Sequence, residues 1–171
     1  MKLFRNARKK PEVRRGESAI LFAIGGYSFL IAADQVEEIR ELRGLQPVTA
    51  VTMRTSVAKI RNTVERAGQI YFVVEGSLHF HMKPSQPTRL MVLRHQPVAV
   101  TVDAIDRMTE IDRILPVPRA FTGPERQWYR GLALVNEKVV PVVDGSAFLN
   151  PAEQVIARTA LSRAVGRGVH A

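Results

Sequence analysis

The chain has 171 residues, of which 46% are hydrophobic and 24% charged, an ordinary globular composition with room for one large domain or two small lobes. It has no cysteine, which excludes thiol catalysis, disulfides and thiolate metal sites and makes a reducing cytoplasm its simplest home. The net charge of +9 sits at the ends: residues 1–15 carry seven Lys or Arg against one Glu, residues 158–171 carry three Arg and no acid, and residues 16–157 carry fifteen of each sign. The body is electrically balanced, so the basic character describes two tails and not a binding face.

Residues 1–16 read as a flexible basic tail. No apolar segment follows the charges of Met1-Lys2-Leu3-Phe4-Arg5, so no secretory signal is expected, and no run reaches the ~20 residues of a membrane helix. Ala19–Ile24 and Tyr27–Ala32 are apolar runs on either side of Gly25-Gly26, a dipeptide suited to the left-handed backbone of a tight hairpin. Further strands are expected at Glu37–Leu42, Ile70–Val74, Leu90–Leu93, Val98–Val102, Arg107–Arg113, Trp128–Val135 and Lys138–Val143. Pro151–Val165 has helical spacing, with Pro151 in the first turn.

Sliding the sequence on itself by 69 residues aligns these runs without a gap. Ile31 falls on Val100, Asp34 on Asp103, Val36 on Ile105 and Ile39 on Met108. Phe72-Val73-Val74-Glu75-Gly76 falls on Pro141-Val142-Val143-Asp144-Gly145. Prolines, carboxylates and glycines matching together with apolar residues indicate a duplication. The expected fold is all-β, with one small closed barrel in each of two pseudo-repeated lobes, residues 17–85 and 86–150, then a short helix and basic tail over 151–171.

Catalysis finds no support. Asp103 and Asp144 could pair as acid and base, but both end apolar strands, where a carboxylate commonly caps the next turn. Gly25-Gly26 has no helix behind it and makes no phosphate loop. His79 and His81 would share a strand face, but no third ligand is near in sequence, so neither metal nor cofactor is expected. Trp128-Tyr129 reads equally as an exposed hot spot or as a buried pair. Glu38 and Arg40 alternate with Ile39, which by itself describes an ordinary solvated strand face.

The order of these blocks resembles the CheW-like domain of bacterial chemotaxis coupling proteins. Ile20-Leu21-Phe22 through Tyr27-Ser28-Phe29 to Val36-Glu37-Glu38-Ile39-Arg40 is similar to that family's opening block. Leu90–Leu93 with Val98–Val102 and Asp103-Ala104-Ile105 is similar to its centre, and Arg130-Gly131-Leu132-Ala133 with Val139–Asp144 to its last hairpin. The resemblance implies two five-stranded barrels and an adaptor without chemistry of its own. Its implied partners are the regulatory domain of a CheA-type histidine kinase and the cytoplasmic tip of a chemoreceptor, the latter bound in a groove between the lobes. By position, Val36, Glu38, Ile39 and Arg40 lie on or beside that groove, and Leu90 and Val92 begin the strand facing it from the second lobe. The family's Asn-Leu-Arg-Gly motif is Glu65-Arg66-Ala67-Gly68 here, which makes Arg66 the candidate stand-in for the missing Arg. This departure leaves open a divergent scaffold for another protein. No specific nucleic-acid binding is expected, since the body lacks a basic aromatic face. Contact of the tails with nucleic acid or an anionic surface is the remaining alternative.

Overall fold

Runs such as Ile20–Ile24 and Val98–Val102 are apolar at every position, which suits strands covered on both faces. The computed structural model describes residues 16–48 and 57–168, with side chains through residue 162, and shows that arrangement. The basic N-terminal tail and the extreme C-terminus lie outside the described residues. The strands are β1 (Glu17–Ile24), β2 (Tyr27–Ala32), β3 (Val36–Glu41), β4 (Gln46–Pro47), β5 (Ile60–Arg66), β6 (Gln69–Glu75), β7 (Arg89–Leu93), β8 (Val98–Val102), β9 (Ala104–Ile111), β10 (Tyr129–Val135) and β11 (Lys138–Val143). Among the described residues two α-helices accompany them, the single-turn α1 (Gly76–His79) and, after the last strand, α2 (Pro151–Gly168). The all-β body with a C-terminal helix is as expected, with α2 running three residues past Val165.

The duplication is visible in three dimensions. Shifted by 69, Ile60–Arg66 becomes Tyr129–Val135, and the pairing of Val64 opposite Tyr71 becomes Ala133 opposite Val140. Val74 lies opposite Val100 in a parallel pair, and the same offset turns this into Val143 opposite Ile31. Ile31 and Val100 thus occupy matching strands.

That relation also means that the repeats exchange strands. One sheet has the order β10-β11-β2-β1-β9 and the other β3-β7-β8-β6-β5-β4. The opening hairpin of the first repeat, β1-β2, joins β9–β11 of the second, and the opening hairpin of the second, β7-β8, joins β3–β6 of the first. The boundary between repeats at residues 85/86 is therefore not the boundary between sheets. The lobes have five and six strands and are open in their hydrogen-bonded order, where closed five-stranded barrels were expected.

Each sheet curls around a small core of its own. Leu21, Leu30, Ala133, Val140 and Val142 fill one, and Val64, Tyr71, Val73, Leu90, Val92 and Ala99 the other. The opposite faces meet in a larger shared core of Phe22, Ile24, Phe29, Ile31, Phe72, Val74, Met91, Val98 and Val100. Alternation along β1 serves both, with Ile20, Phe22 and Ile24 in the shared core and Ala19 and Leu21 in the lobe core. The curl carries Arg130 of β10 to Glu17 of β1, joined by two hydrogen bonds of 2.6 and 3.1 Å. Helix α2 starts with a capping box, in which Asn150 Oδ1 accepts from the Glu153 N–H and Glu153 Oε2 accepts from the Asn150 N–H. Ala157 and Ala160 of α2 then seat it on the shared core.

Candidate functional site

Among the described residues, strand β3 is an edge strand, hydrogen-bonded within its sheet to β7 alone. Its register changes at Glu37: Val36 lies opposite Leu93, whereas Glu38 lies opposite Val92, Ile39 opposite Met91 and Arg40 opposite Leu90. This bulge places Val36 and Ile39 on the side of the shared core, with Leu93 and Met91, and turns Glu38 and Arg40 to the lobe core side. Val36 is buried, while Ile39 is 37% exposed.

Strand β9, the repeat mate of β3, is also an edge strand and has the same irregularity. Ile105 lies opposite Phe22, Arg107 opposite Leu21 and Met108 opposite Ile20, so Asp106 is the extra residue, 69 positions after Glu37. Ile105 packs on the shared core and Met108 is 59% exposed. The two edges thus present Ile39 and Met108 as equivalent apolar side chains on the interlobe side of their sheets. Sequence reasoning passed over Ile105 and Met108 as site residues, although the 69-residue offset pairs them with Val36 and Ile39.

Arg66 ends β5, and its Nε donates to Glu38 Oε2 at 2.6 Å, with Glu37 Oε1 3.6 Å from its Nη2. The hydrogen bond that it donates to Glu38, and after it one to Tyr71, raises the pKa of the guanidinium above its ordinary value. Ala67 is the first residue of the β5–β6 turn at φ 50°, so the one-residue displacement aims Arg66 back at β3. Arg94 supports the same strand, with Nη1 3.3 Å from Glu37 Oε2 and Nη2 donating to the Val36 carbonyl at 3.2 Å.

The other expected contacts take different places. Leu90 and Val92 are fully buried in a lobe core. They do not face β3 across a groove, because strand exchange makes β7 its hydrogen-bonded neighbour. Of the expected residues, Glu38, Ile39, Arg40 and Arg66 reach the surface, and Val36, Leu90 and Val92 support them from below. Asp103 Oδ2 accepts from the Gly25 N–H at 2.7 Å, and Asp144 Oδ1 accepts from the Ser146 N–H and hydroxyl at 2.9 and 2.7 Å, so both carboxylates cap turns.

His79 and His81 do not form a strand face, since His79 closes α1 and His81 follows at φ 52°. Lys59 Nζ lies 3.2 Å from His79 Nδ1 and 3.0 Å from Glu153 Oε2, which ties α1 to α2. Burial first, then the charges of Lys59 and His81, lower the His79 pKa from 6.5 to about 3. Trp128 is half-buried against His79, Phe80 and His81. No group of three or more His, Cys, Asp or Glu is placed to hold a metal ion among the described residues.

Two strand-exchanged β lobes, a shared apolar core and a pair of matched edge strands define a scaffold that works through its surfaces. Residues 18–153 match the CheW-like domain, and the chain belongs to that family of non-enzymatic scaffolds. It is 28% identical over 141 residues to a probable chemotaxis protein CheW of Rhizobium etli, covering 78% of this chain and 88% of that protein. Its fold is similar to the scaffolding protein TtCheW of Thermoanaerobacter tengcongensis, with a TM-score of 0.66 at 16% identity over 75% of this chain and 89% of the other. No helix among the described residues is long and apolar enough to cross a membrane.

Proposed function

We propose that this chain is a cytoplasmic adaptor that couples a chemoreceptor tip to the regulatory domain of a CheA-type histidine kinase. The observation that carries this reading is the matched exposure of Ile39 and Met108 on the interlobe side of two repeat-related edge strands. An amphipathic helix docks through apolar side chains spaced along one face, which suits a partner laid between the lobes. Glu38, held by Arg66, and Arg40 lie on the other face of the same edge strand, where a partner that wraps over the β3 edge meets their charges. The adaptor performs no reaction; it fixes the geometry in which receptor and kinase meet.

The test is the binding of a purified receptor cytoplasmic fragment and of a kinase regulatory domain, measured separately. Ile39→Glu and Met108→Glu should each weaken receptor binding by about tenfold or more, the effect of losing a buried apolar anchor. Met108→Glu should keep the melting temperature of the parent, since Met108 is 59% exposed, whereas Ile39→Glu, at a side chain 37% exposed, should lower it modestly while leaving the kinase-domain binding intact. If the parent protein binds neither fragment, the coupling role is refuted. The confinement of the net positive charge to the ends favours a second reading, a scaffold whose tails hold an anionic surface. Binding to vesicles containing anionic lipid that disappears on removal of residues 1–15 would establish it.

A further inference from the structure

A second surface lies away from β3 and β9. Leu134 lies opposite Val139 in the β10–β11 hairpin. β11 pairs in parallel with β2, with Val142 opposite Leu30 and Val143 opposite Ile31, and at the near end of the two strands Val139 and Tyr27 line one cavity. Leu134, Val139 and Tyr27 therefore form a row across three adjacent strands, 60%, 63% and 67% exposed. Directly opposed residues point to one side of a sheet, so the three side chains share a face. Isolated exposed apolar residues are ordinary, whereas a contiguous row of three large ones marks an interaction site.

Beside this row is a cavity of about 900 Å³, to which Tyr27, Phe29, Phe80, Tyr129 and Pro141 contribute. Phe29, Phe80 and Tyr129 stack in sequence, with ring centroids 4.5 and 6.1 Å apart, giving the cavity a rigid aromatic wall. Among the described residues its charged lining is of one sign: Lys83 and Lys138 line it and no carboxylate does. Neither lysine takes part in an ion pair or side-chain hydrogen bond among the described residues. Apolar surface edged by free cations is complementary to an apolar anchor flanked by carboxylates.

We propose that this face docks an acidic segment of a partner protein, with a Leu or aromatic side chain in the cavity and carboxylates on Lys83 and Lys138. It shares no residue with the β3 and β9 edges, so the two surfaces can be occupied together. The probe is a fluorescent peptide of alternating Glu and Leu or Trp, compared with the same peptide carrying Lys for Glu. On the isotopically labelled full chain, the acidic peptide should shift the amide signals of Tyr27, Lys83, Lys138 and Val139 saturably. Val139→Asp should weaken it by about tenfold. Double substitution Lys83→Glu and Lys138→Glu should weaken it by a similar factor at low salt and transfer preference to the Lys peptide, with folding checked by unchanged core signals. Equal binding of both peptides, shifts centred on Ile39 and Met108, or no saturable binding would each overturn the proposal. So would shifts at Tyr27 and Val139 that grow with protein concentration in the absence of peptide, which would assign the face to a second copy of the chain.

Discussion

Glu137 sits at φ 66° in the β10–β11 turn, after Asn136 at φ 49°. A two-residue hairpin with both residues left-handed favours Asn followed by Gly, and a side chain at the second position is strained against its own backbone. Glu137→Gly should therefore stabilise the protein by about 0.5–1 kcal/mol, measured as a rise in the denaturant midpoint without a change in slope. His79 makes the opposite kind of contribution. Its native pKa of about 3 lies below the ordinary 6.5, so below pH 6.5 the unfolded chain binds a proton that the folded chain refuses. Stability contributed by the neutral ring is complete above pH 6.5 and declines as pH falls toward 3. Between pH 7 and pH 5 the loss should be about 2 kcal/mol from this group. Unfolding curves at the two pH values should show a smaller loss in His79→Gln; an equal loss would remove His79 as the cause.

At the scale of elements, the capping box of α2 is the most accessible to experiment. Asn150→Ala removes the acceptor for the Glu153 N–H and should cost about 1 kcal/mol, visible as a lowered melting temperature. Glu153 also meets Lys59, so Glu153→Ala should cost more than Asn150→Ala. Strands covered on both faces, β1, β2, β7 and β8, were plain in the sequence because their apolar runs leave no other reading. Strand β5 was not, since in Ile60-Arg61-Asn62-Thr63-Val64-Glu65-Arg66 only Ile60 and Val64 are buried and the spacing of four imitates a helix. Its repeat mate β10 was recognised, and subtracting 69 would have found β5. The bulges at Glu37 and Asp106 were hidden for a different reason, since nothing local marks them and register with the neighbouring strand creates them. The pairing of Arg66 with Glu38 is likewise a product of the curl of the sheet and has no signal in spacing.

For the whole molecule, the duplication was legible and its consequence was not. Matching residues such as Val74 and Val143 reveal two copies, but which copy a strand joins depends on contacts distant in sequence. Exchange makes each lobe a product of both repeats, with Leu90 and Val92 of the second repeat filling the core of a lobe framed mainly by the first. Fragments 1–85 and 86–171 should each lack cooperative unfolding alone, because each carries a hairpin without its sheet and a sheet without its hairpin. Mixed in equal amounts, they should recover the circular dichroism spectrum and thermal transition of the intact chain. Independent folding of either fragment would contradict the exchanged topology.

The same interlacing governs how the protein is born. While the ribosome is still extending the chain, β1 and β2 have emerged without the strands that flank them, and β2 waits for β11 near the end of synthesis. This strongly apolar hairpin is thus exposed through most of translation, a slow and aggregation-prone interval. Nascent-chain arrest at successive lengths should find it held by chaperones until Val143 has cleared the exit tunnel.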